Sequence, residues 1–354
     1  MMNMQHKFFV WNCRGAANTT FYRFCKQYVK SHHPELIVIV ETRCEPLKLK
    51  KTCQLLGFNG FLASDVSGYS GGIVVAWKEE VFNVDLCIKK FQFLHLIVRN
   101  ANGKEWFFTP VYASPNEENR RIMWKDLKRI ANSISQPWML AGDFNDIACA
   151  AEKKGGATVC MRKCNRFVER INACKLLDLS GVGSKFTWRG PIYHGGGCIF
   201  ERLDRALCND CWRLEFPNAF VRVLTRLDFS DHHPILICPD GIPHSRVPRQ
   251  FKFESAWLLE NSYIDMLGNC WDSNTHISDN LQKVQQEVKE WKFHTLDQIS
   301  RKKRELMARI GGIQRRLGNG VRIGGLVRLE RKLQVELEKN PPTRRVDVVS
   351  TIKS

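Results

Sequence analysis

Residues able to do phosphate and metal chemistry recur at one kind of place in this 354-residue chain. Asn12 follows the apolar run Phe8 to Trp11, Glu41 follows Leu36 to Val40, and Asp143 with Asn145 follows Trp138 to Gly142. Each run reads as a strand, so each polar residue stands at a strand exit. Strand exits of one sheet converge on a shared edge, which builds sites from residues distant in sequence. A carboxylate at the end of an apolar strand is a hard-oxygen ligand suited to magnesium, although any single one is explained as well by an ordinary loop cap. Tyr112, Asp204 and the run Ser230-Asp231-His232 join the pattern.

Such residues need a sheet to hold them. From the start to about Ile237, short β-rich runs alternate with turns and a few helical patches, the rhythm of a mixed α/β domain. Phe8 to Trp11, Leu36 to Val40, Ile73 to Trp77, Leu94 to Val98, Trp106 to Val111, Trp138 to Ala141 and Ile235 to Cys238 are apolar and largely β-branched or aromatic. Asn102-Gly103 turns the stretch Leu94 to Tyr112 into a hairpin, so neighbouring strands are at least partly antiparallel. Ser114-Pro115-Asn116-Glu117 supplies an N-cap, a proline at the first helical position and a capping-box glutamate for a helix carrying Ile122, Trp124, Leu127 and Ile130. Met161 to Leu177, after the Gly155-Gly156 turn, gives a second helix with Phe167, Ile171 and Cys174 on one side. Both helices are expected to cover a sheet.

Pro239 to Pro248 reads as the core of a linker, beyond which strand signals stop and long helical patterns take over. The expected organisation is a domain over 1–238, a linker over 239–250 and a basic helical extension over 251–354. Leu281 to Leu317 keeps partial three-four spacing, and Gly311-Gly312 is expected to interrupt it. Pro341-Pro342 marks an end expected to fray.

Composition narrows the function classes. The chain carries 54 Lys plus Arg against 36 Asp plus Glu, a formal net charge of +18, which favours a polyanionic partner. At 44% hydrophobic and 25% charged residues it is no disordered or collagen-like polymer. The opening residues lead into no signal peptide and no apolar stretch approaches a membrane span, so an intracellular, non-secreted protein is expected. The 14 cysteines then read as free thiols of a reducing compartment.

Four local motifs are set aside. Cys208-Asn209-Asp210-Cys211 has CxxC spacing but lacks two further well-placed zinc ligands. Gly68-Tyr69-Ser70-Gly71-Gly72 matches GxSxG, yet a nucleophile elbow needs a strand before its serine and a helix after it, and here a loop precedes and a strand follows. Gly195-Gly196-Gly197 reads as a flexible loop. Arg301-Lys302-Lys303-Arg304 is either a nuclear-import or nucleic-acid patch or a solvated helix face. A phosphate-cradling GxxxxGK[ST] is absent from the sequence.

Taken in order, Trp11-Asn12, Glu41-Thr42, Gly142-Asp143-Phe144-Asn145, Arg202-Leu203-Asp204-Arg205 and Ser230-Asp231-His232 resemble the motifs of the endonuclease/exonuclease/phosphatase superfamily over roughly residues 7 to 238. Within it the chain is most similar to the endonuclease domain of plant non-LTR (LINE-type) retrotransposons. That similarity rests on Trp11-Asn12-Cys13-Arg14-Gly15, Ser70-Gly71-Gly72, Val111-Tyr112-Ala113-Ser114-Pro115, Asp146 after the GDFN motif, Phe186-Thr187-Trp188 and the continuation Ala206-Leu207. The resemblance implies an α/β four-layer sandwich of two packed mixed β-sheets flanked by helices, followed by a helical C-terminal extension. It also implies a phosphodiesterase dependent on magnesium, with manganese as a substitute, and double-stranded DNA as the partner rather than a membrane.

By resemblance, Asp143 positions and deprotonates the water, Asn145 and Tyr112 hold the phosphate, and Glu41 and Asn12 fix the metal. His232 completes the pocket while Asp204 accepts from its other nitrogen, and Asp231 is either a third metal ligand or part of that network. His233 beside it reads as structural. Two departures matter: AP endonucleases carry a metal-binding aspartate where this chain has Arg14, and the retroelement's reverse transcriptase is missing, as in a truncated or domesticated element. A family-like product is a nick with a free 3′-hydroxyl, and a nuclear location follows from such a substrate. The alternatives are an abasic-site repair nuclease, a silent DNA-binding remnant and, third, a lipid phosphatase.

Overall fold

Runs such as Leu36–Val40 and Ile73–Trp77, apolar at every position, become strands buried on both faces. The structure, a computed structural model, describes residues 6–64, 66–67, 70–179, 181–192, 197–241, 257–258, 260–272, 275–319 and 323–339. One seven-stranded sheet runs in the spatial order Gly181–Gly183, Phe220–Val223, Ile235–Cys238, Phe8–Asn12, Leu36–Val40, Ile73–Trp77, Gly60–Ala63. The other has six strands, Leu177–Asp178, Asp204–Cys208, Trp138–Asp143, Glu105–Tyr112, Leu94–Asn100 and Phe82–Lys89. Each is mixed: Phe8–Asn12 pairs parallel with Leu36–Val40 and antiparallel with Ile235–Cys238, and Trp138–Asp143 is parallel to Glu105–Tyr112 but antiparallel to Asp204–Cys208.

The inner faces share one core, where Phe8, Val10, Val38 and Val75 of the first sheet join Leu96, Phe108, Met139 and Ala206 of the second. Each fully buried large side chain there contributes about 1.5–3 kcal/mol, so the two sheets cannot separate cheaply. Outside, the helix Thr19–His32 brings Phe21 and Tyr28 against Trp11. On the opposite side the helices Glu117–Ser133 and Met161–Ala173 bring Trp124, Leu127, Phe167 and Ile171 onto Leu140 and Leu207. Helix, sheet, sheet, helix is the expected four-layer arrangement.

Several local expectations change. The helix after Pro115 is capped by Asn116, not Ser114, because the Asn116 side chain reaches the N–H groups of Glu118 and Asn119 at 2.9 and 3.3 Å. Ile122 lies on that helix but is exposed, since it sits one position off the stripe of Met123, Leu127 and Ile130. The second helix ends at Ala173, with Cys174 as its cap. The helix Ile277–Asn319 passes through Gly311 and Gly312 unbroken, because burial of Ile310, Ile313 and Leu317 outweighs a glycine cost of about 1 kcal/mol each. The sequence also hides strands: polar residues alternate with apolar ones through most of Phe82–Lys89, and Arg222 interrupts Phe220–Val223. Residues 242–250 of the expected linker, Gly68-Tyr69, Gly195-Gly196 and Pro341-Pro342 lie outside the described residues.

The chain divides into two compact units, Met1–His244 with Ile313–Leu326, and Ser245–Gly312 with Val327–Ser354. In the first, the end of the long helix is tied to the sandwich: Gln314 Nε2 donates to Arg226 O at 2.8 Å and Gln314 Oε1 accepts from Arg226 N at 3.0 Å. Lys154 Nζ donates to Leu317 O at 2.7 Å, covering a carbonyl the helix end leaves open. The second unit has its own aromatic core of Trp257, Tyr263, Val288 and Trp291. Lys302, within the basic run, pairs with Glu336 at 3.3 Å.

Candidate active site

Asn12, Tyr112 and Asp143 are the last residues of their strands, and Asp204 is the first of an antiparallel one. Register then does the positioning, because Asp143 lies directly across from Tyr112 on one side and from Asp204 on the other. Gly142 makes this alignment possible: a Cβ there would stand 1.8 Å from Val111 O. Asn12 comes from the other sheet and crosses the gap, its Nδ2 donating to Asp143 Oδ2 at 2.9 Å. Both sheets therefore meet at one buried hydrogen bond.

Around that bond the polar groups form a chain. His232 Nδ1 lies 2.8 Å from Asp204 Oδ2, and His232 Nε2 faces Asp143 Oδ2 at 3.9 Å. Asn145 Nδ2 donates to Ala113 O at 2.7 Å and to Asp143 Oδ2 at 3.2 Å. Asp143 and Asp204 are almost wholly buried, as is His232. Burial works against a charged imidazole, but Asp204, by charge and hydrogen bond, and then Asp143 and Asp231 raise the His232 pKa above its ordinary value. Burial first, and then Asp204, raise the carboxyl of Asp143. Burial, with Glu41 and Asp143 close by, raises the Tyr112 phenol as well.

The backbone turns sharply where the strands end. Arg14, Glu41, Arg43 and Asn145 all have φ near +50°, although none is glycine. Such a residue costs about 1–3 kcal/mol and persists only where its surroundings fix it. Asn12 and Asp143 do so in the same way, each accepting with its own Oδ1 the N–H two residues on, from Arg14 at 3.1 Å and Asn145 at 2.9 Å.

Supporting residues had no role assigned in the sequence reading. Thr187 Oγ1 accepts the N–H groups of both Leu203 and Asp204 at 2.9 Å. Ser230 Oγ donates to Asn12 O at 2.7 Å and accepts from His232 N at 3.0 Å, so it ties the histidine segment to the end of the Phe8–Asn12 strand. Their only signal was membership of the Phe186-Thr187-Trp188 and Ser230-Asp231-His232 motifs. His233 is structural, its Nδ1 2.8 Å from Leu224 O and its basicity reduced by burial.

The expected metal residues do not all come together. Asp143, Asp204 and His232 each offer a ligand atom within 4.8 Å of one another, a group of acids and imidazole that includes neither Glu41 nor Asp231, while Asn12 touches its Asp143 at 2.9 Å. Glu41 is a buried carboxylate paired with Arg43, and Asp231 Oδ2 accepts from Arg14 Nη1 at 2.5 Å and from Trp188 Nε1 at 2.8 Å. Oxygen donors from Asn12, Glu41 and Asp143 suit a hard cation, whereas an imidazole held protonated by Asp204 has no lone pair to offer one. These oxygen donors fit a divalent metal ion.

Residues 9–232, more than half of the chain, match the Endonuclease/Exonuclease/phosphatase family. The chain belongs to that family. Solved structures share the fold at low identity. The endonuclease domain of TRAS1, a telomere-specific non-LTR retrotransposon, is 15% identical with a TM-score of 0.50, covering 66% of this chain and 97% of its own. The AP endonuclease LMAP from Leishmania major is 12% identical with a TM-score of 0.52, covering 66% and 87%. An AP endonuclease from Archaeoglobus fulgidus is 14% identical with a TM-score of 0.50, covering 66% and 98%. No curated protein matches the sequence. Among the described residues, no helix is long and apolar enough to cross a membrane.

Proposed function

We propose that the protein is a metal-dependent phosphodiester hydrolase that nicks double-stranded DNA and leaves a 3′-hydroxyl. The observation that carries this reading is the chain Asp204, His232, Asp143, Asn12, linked at 2.8, 3.9 and 2.9 Å across two sheets. A net charge of +18 supports a long polyanion as substrate. The TRAS1 domain supports a retrotransposon-type nick as the reaction, and a nuclear site of action follows from that substrate.

Asp143, its side chain oriented by Asn12 and Asn145, takes the proton of the attacking water. The water oxygen bonds to phosphorus, the bond from phosphorus to the 3′ oxygen breaks, and the departing 3′ alkoxide takes a proton from solvent, leaving a 5′-phosphate and a 3′-hydroxyl. His232, oriented and kept cationic by Asp204, donates to a non-bridging phosphate oxygen, and Asn145 and Tyr112 hold the phosphate in line. Glu41 and Asn12 would hold magnesium or manganese, which would supply neutralisation of charge on the phosphate or departing oxygen.

Supercoiled plasmid incubated with and without magnesium, beside an Asp143→Ala variant, tests the reading. Magnesium-dependent nicking lost in the variant is expected; equal nicking by both proteins would reject it, and salt-sensitive binding without nicking would point to a silent DNA-binding remnant. The two AP endonucleases favour an abasic-site nuclease as a second reading. Cleavage of an abasic duplex far faster than of plain duplex would establish it.

A further inference from the structure

Arg14 stands two residues beyond Asn12, in a left-handed turn at φ 51° whose N–H is fixed by the Asn12 side chain. Its guanidinium reaches across 217 positions of sequence to Asp231 Oδ2 at 2.5 Å. The same oxygen accepts the indole N–H of Trp188 at 2.8 Å, and the Asp231 main-chain oxygen accepts from Arg189 N at 3.0 Å. The carboxylate is thus held by two donors from two separate segments. Exposure divides the pair unequally: the Asp231 side chain is 18% exposed and that of Arg14 49%. A mostly buried anchor therefore holds a half-exposed cation, and a guanidinium has five N–H donors, of which Asp231 engages one.

We infer that Asp231 is the anchor of Arg14 rather than a metal ligand, and that Arg14 is a phosphate-contacting residue beside the reacting centre. This rests on the function proposed above. Arg14 continues the turn whose Asn12 touches Asp143, so its remaining donors serve the backbone of the same DNA strand. Guanidinium geometry suits that task because two parallel N–H groups match two phosphate oxygens. Glu41 differs in kind. Its Oε1 meets Arg43, only two residues away and 42% exposed, which can swing aside without disturbing a second segment.

The full-length chain tests this with two readouts that need no turnover. Manganese affinity, read by electron paramagnetic resonance without DNA, should fall about tenfold or more in Glu41→Gln and stay at the wild-type value in Asp231→Asn. Binding of an intact duplex in EDTA across a salt series should weaken in Arg14→Gln, with the log–log salt slope reduced by about 1. Arg14→Lys should keep the slope, because it keeps the charge. The double variant Arg14→Gln/Asp231→Asn should bind DNA no worse than Arg14→Gln alone.

Loss of manganese binding in Asp231→Asn would overturn the inference and assign the metal to Asp231 Oδ1, which is buried without a hydrogen-bond partner. An unchanged salt slope in Arg14→Gln would overturn it from the DNA side. If wild type neither binds manganese nor nicks plasmid, the proposed function falls first and takes the inference with it.

Discussion

Two clusters of buried charge sit in the same sandwich and are built on opposite plans. In one, Arg205, with a fully buried side chain, bonds Glu152 and Asp178 at 2.8 Å each, and Arg202 bonds the same two acids at 2.7 Å. Two guanidinium groups meet two carboxylates. In the other, two carboxylates, Asp143 and Asp204, meet one imidazole. The balanced cluster outweighs its own desolvation: burial tends to raise the Glu152 carboxyl, but Arg205 and Arg202 hold it below its usual range. The unbalanced one does not, and the Asp143 carboxyl is raised. Balance makes a strut; the missing cation makes a site.

The comparison predicts opposite responses to a single deletion. Removing Asp143 or His232 should lower plasmid nicking on the order of 10³-fold. Deleting a carboxylate from a cluster that already has one too many relieves charge, so thermal melting of Asp143→Ala should not fall. Arg205→Met should do the reverse, destabilising the fold by about 3–5 kcal/mol because Glu152 and Asp178 lose the one fully buried cation between them. Denaturant unfolding of both variants decides the matter, and a destabilised Asp143→Ala with an unaffected Arg205→Met would invert the whole comparison.

The cluster around Asp143 was legible in the sequence and the one around Arg205 was not, for a physical reason. Asn12, Glu41 and Asp143 announce themselves because a polar residue closing a run of buried strand has no packing role there. Arg205 and Asp178 look like ordinary surface charges of a basic chain until folding brings segments 27 residues apart to 2.8 Å. The pairing of Arg14 with Asp231 is hidden by the same effect over 217 residues. Seven strand cores were legible from apolar runs, while Asp204–Cys208 and Phe220–Val223 were missed since charged residues interrupt them. Gly311-Gly312 misled because local propensity is weak against the burial of a neighbouring turn.

His95 shows a third way to bury an ionisable group, which is to keep it neutral. It lies between Thr109, 2.8 Å from its Nδ1, and the stacked ring of Phe107, and burial lowers its pKa from 6.5 to about 4. The folded state therefore binds fewer protons than the unfolded state below pH 6.5. Stability from this group is complete above pH 6.5 and is lost as pH falls towards 4, by up to about 3 kcal/mol. His95→Gln should flatten that limb of a stability-against-pH curve. A steep limb persisting unchanged in the variant would move the acid sensitivity to another group.

The smallest expected effect concerns a buried polar contact with no charge at all. Gln314 reads both main-chain groups of Arg226, whose Nη1 in turn donates to Ser230 O at 3.1 Å. The segment leading to Ser230 and His232 is thus braced by a residue far down the chain, inside what composition marks as a separate extension. Gln314→Leu should cost about 1–3 kcal/mol, because the Arg226 N–H and carbonyl lose their partners while remaining buried. Amide hydrogen exchange across 224–232 should accelerate before the rest of the sandwich responds. Faster exchange there, with manganese affinity intact, makes Gln314 a brace of the catalytic segment; exchange raised evenly over both sheets makes it one more contribution to global stability, like Arg205 on a smaller scale.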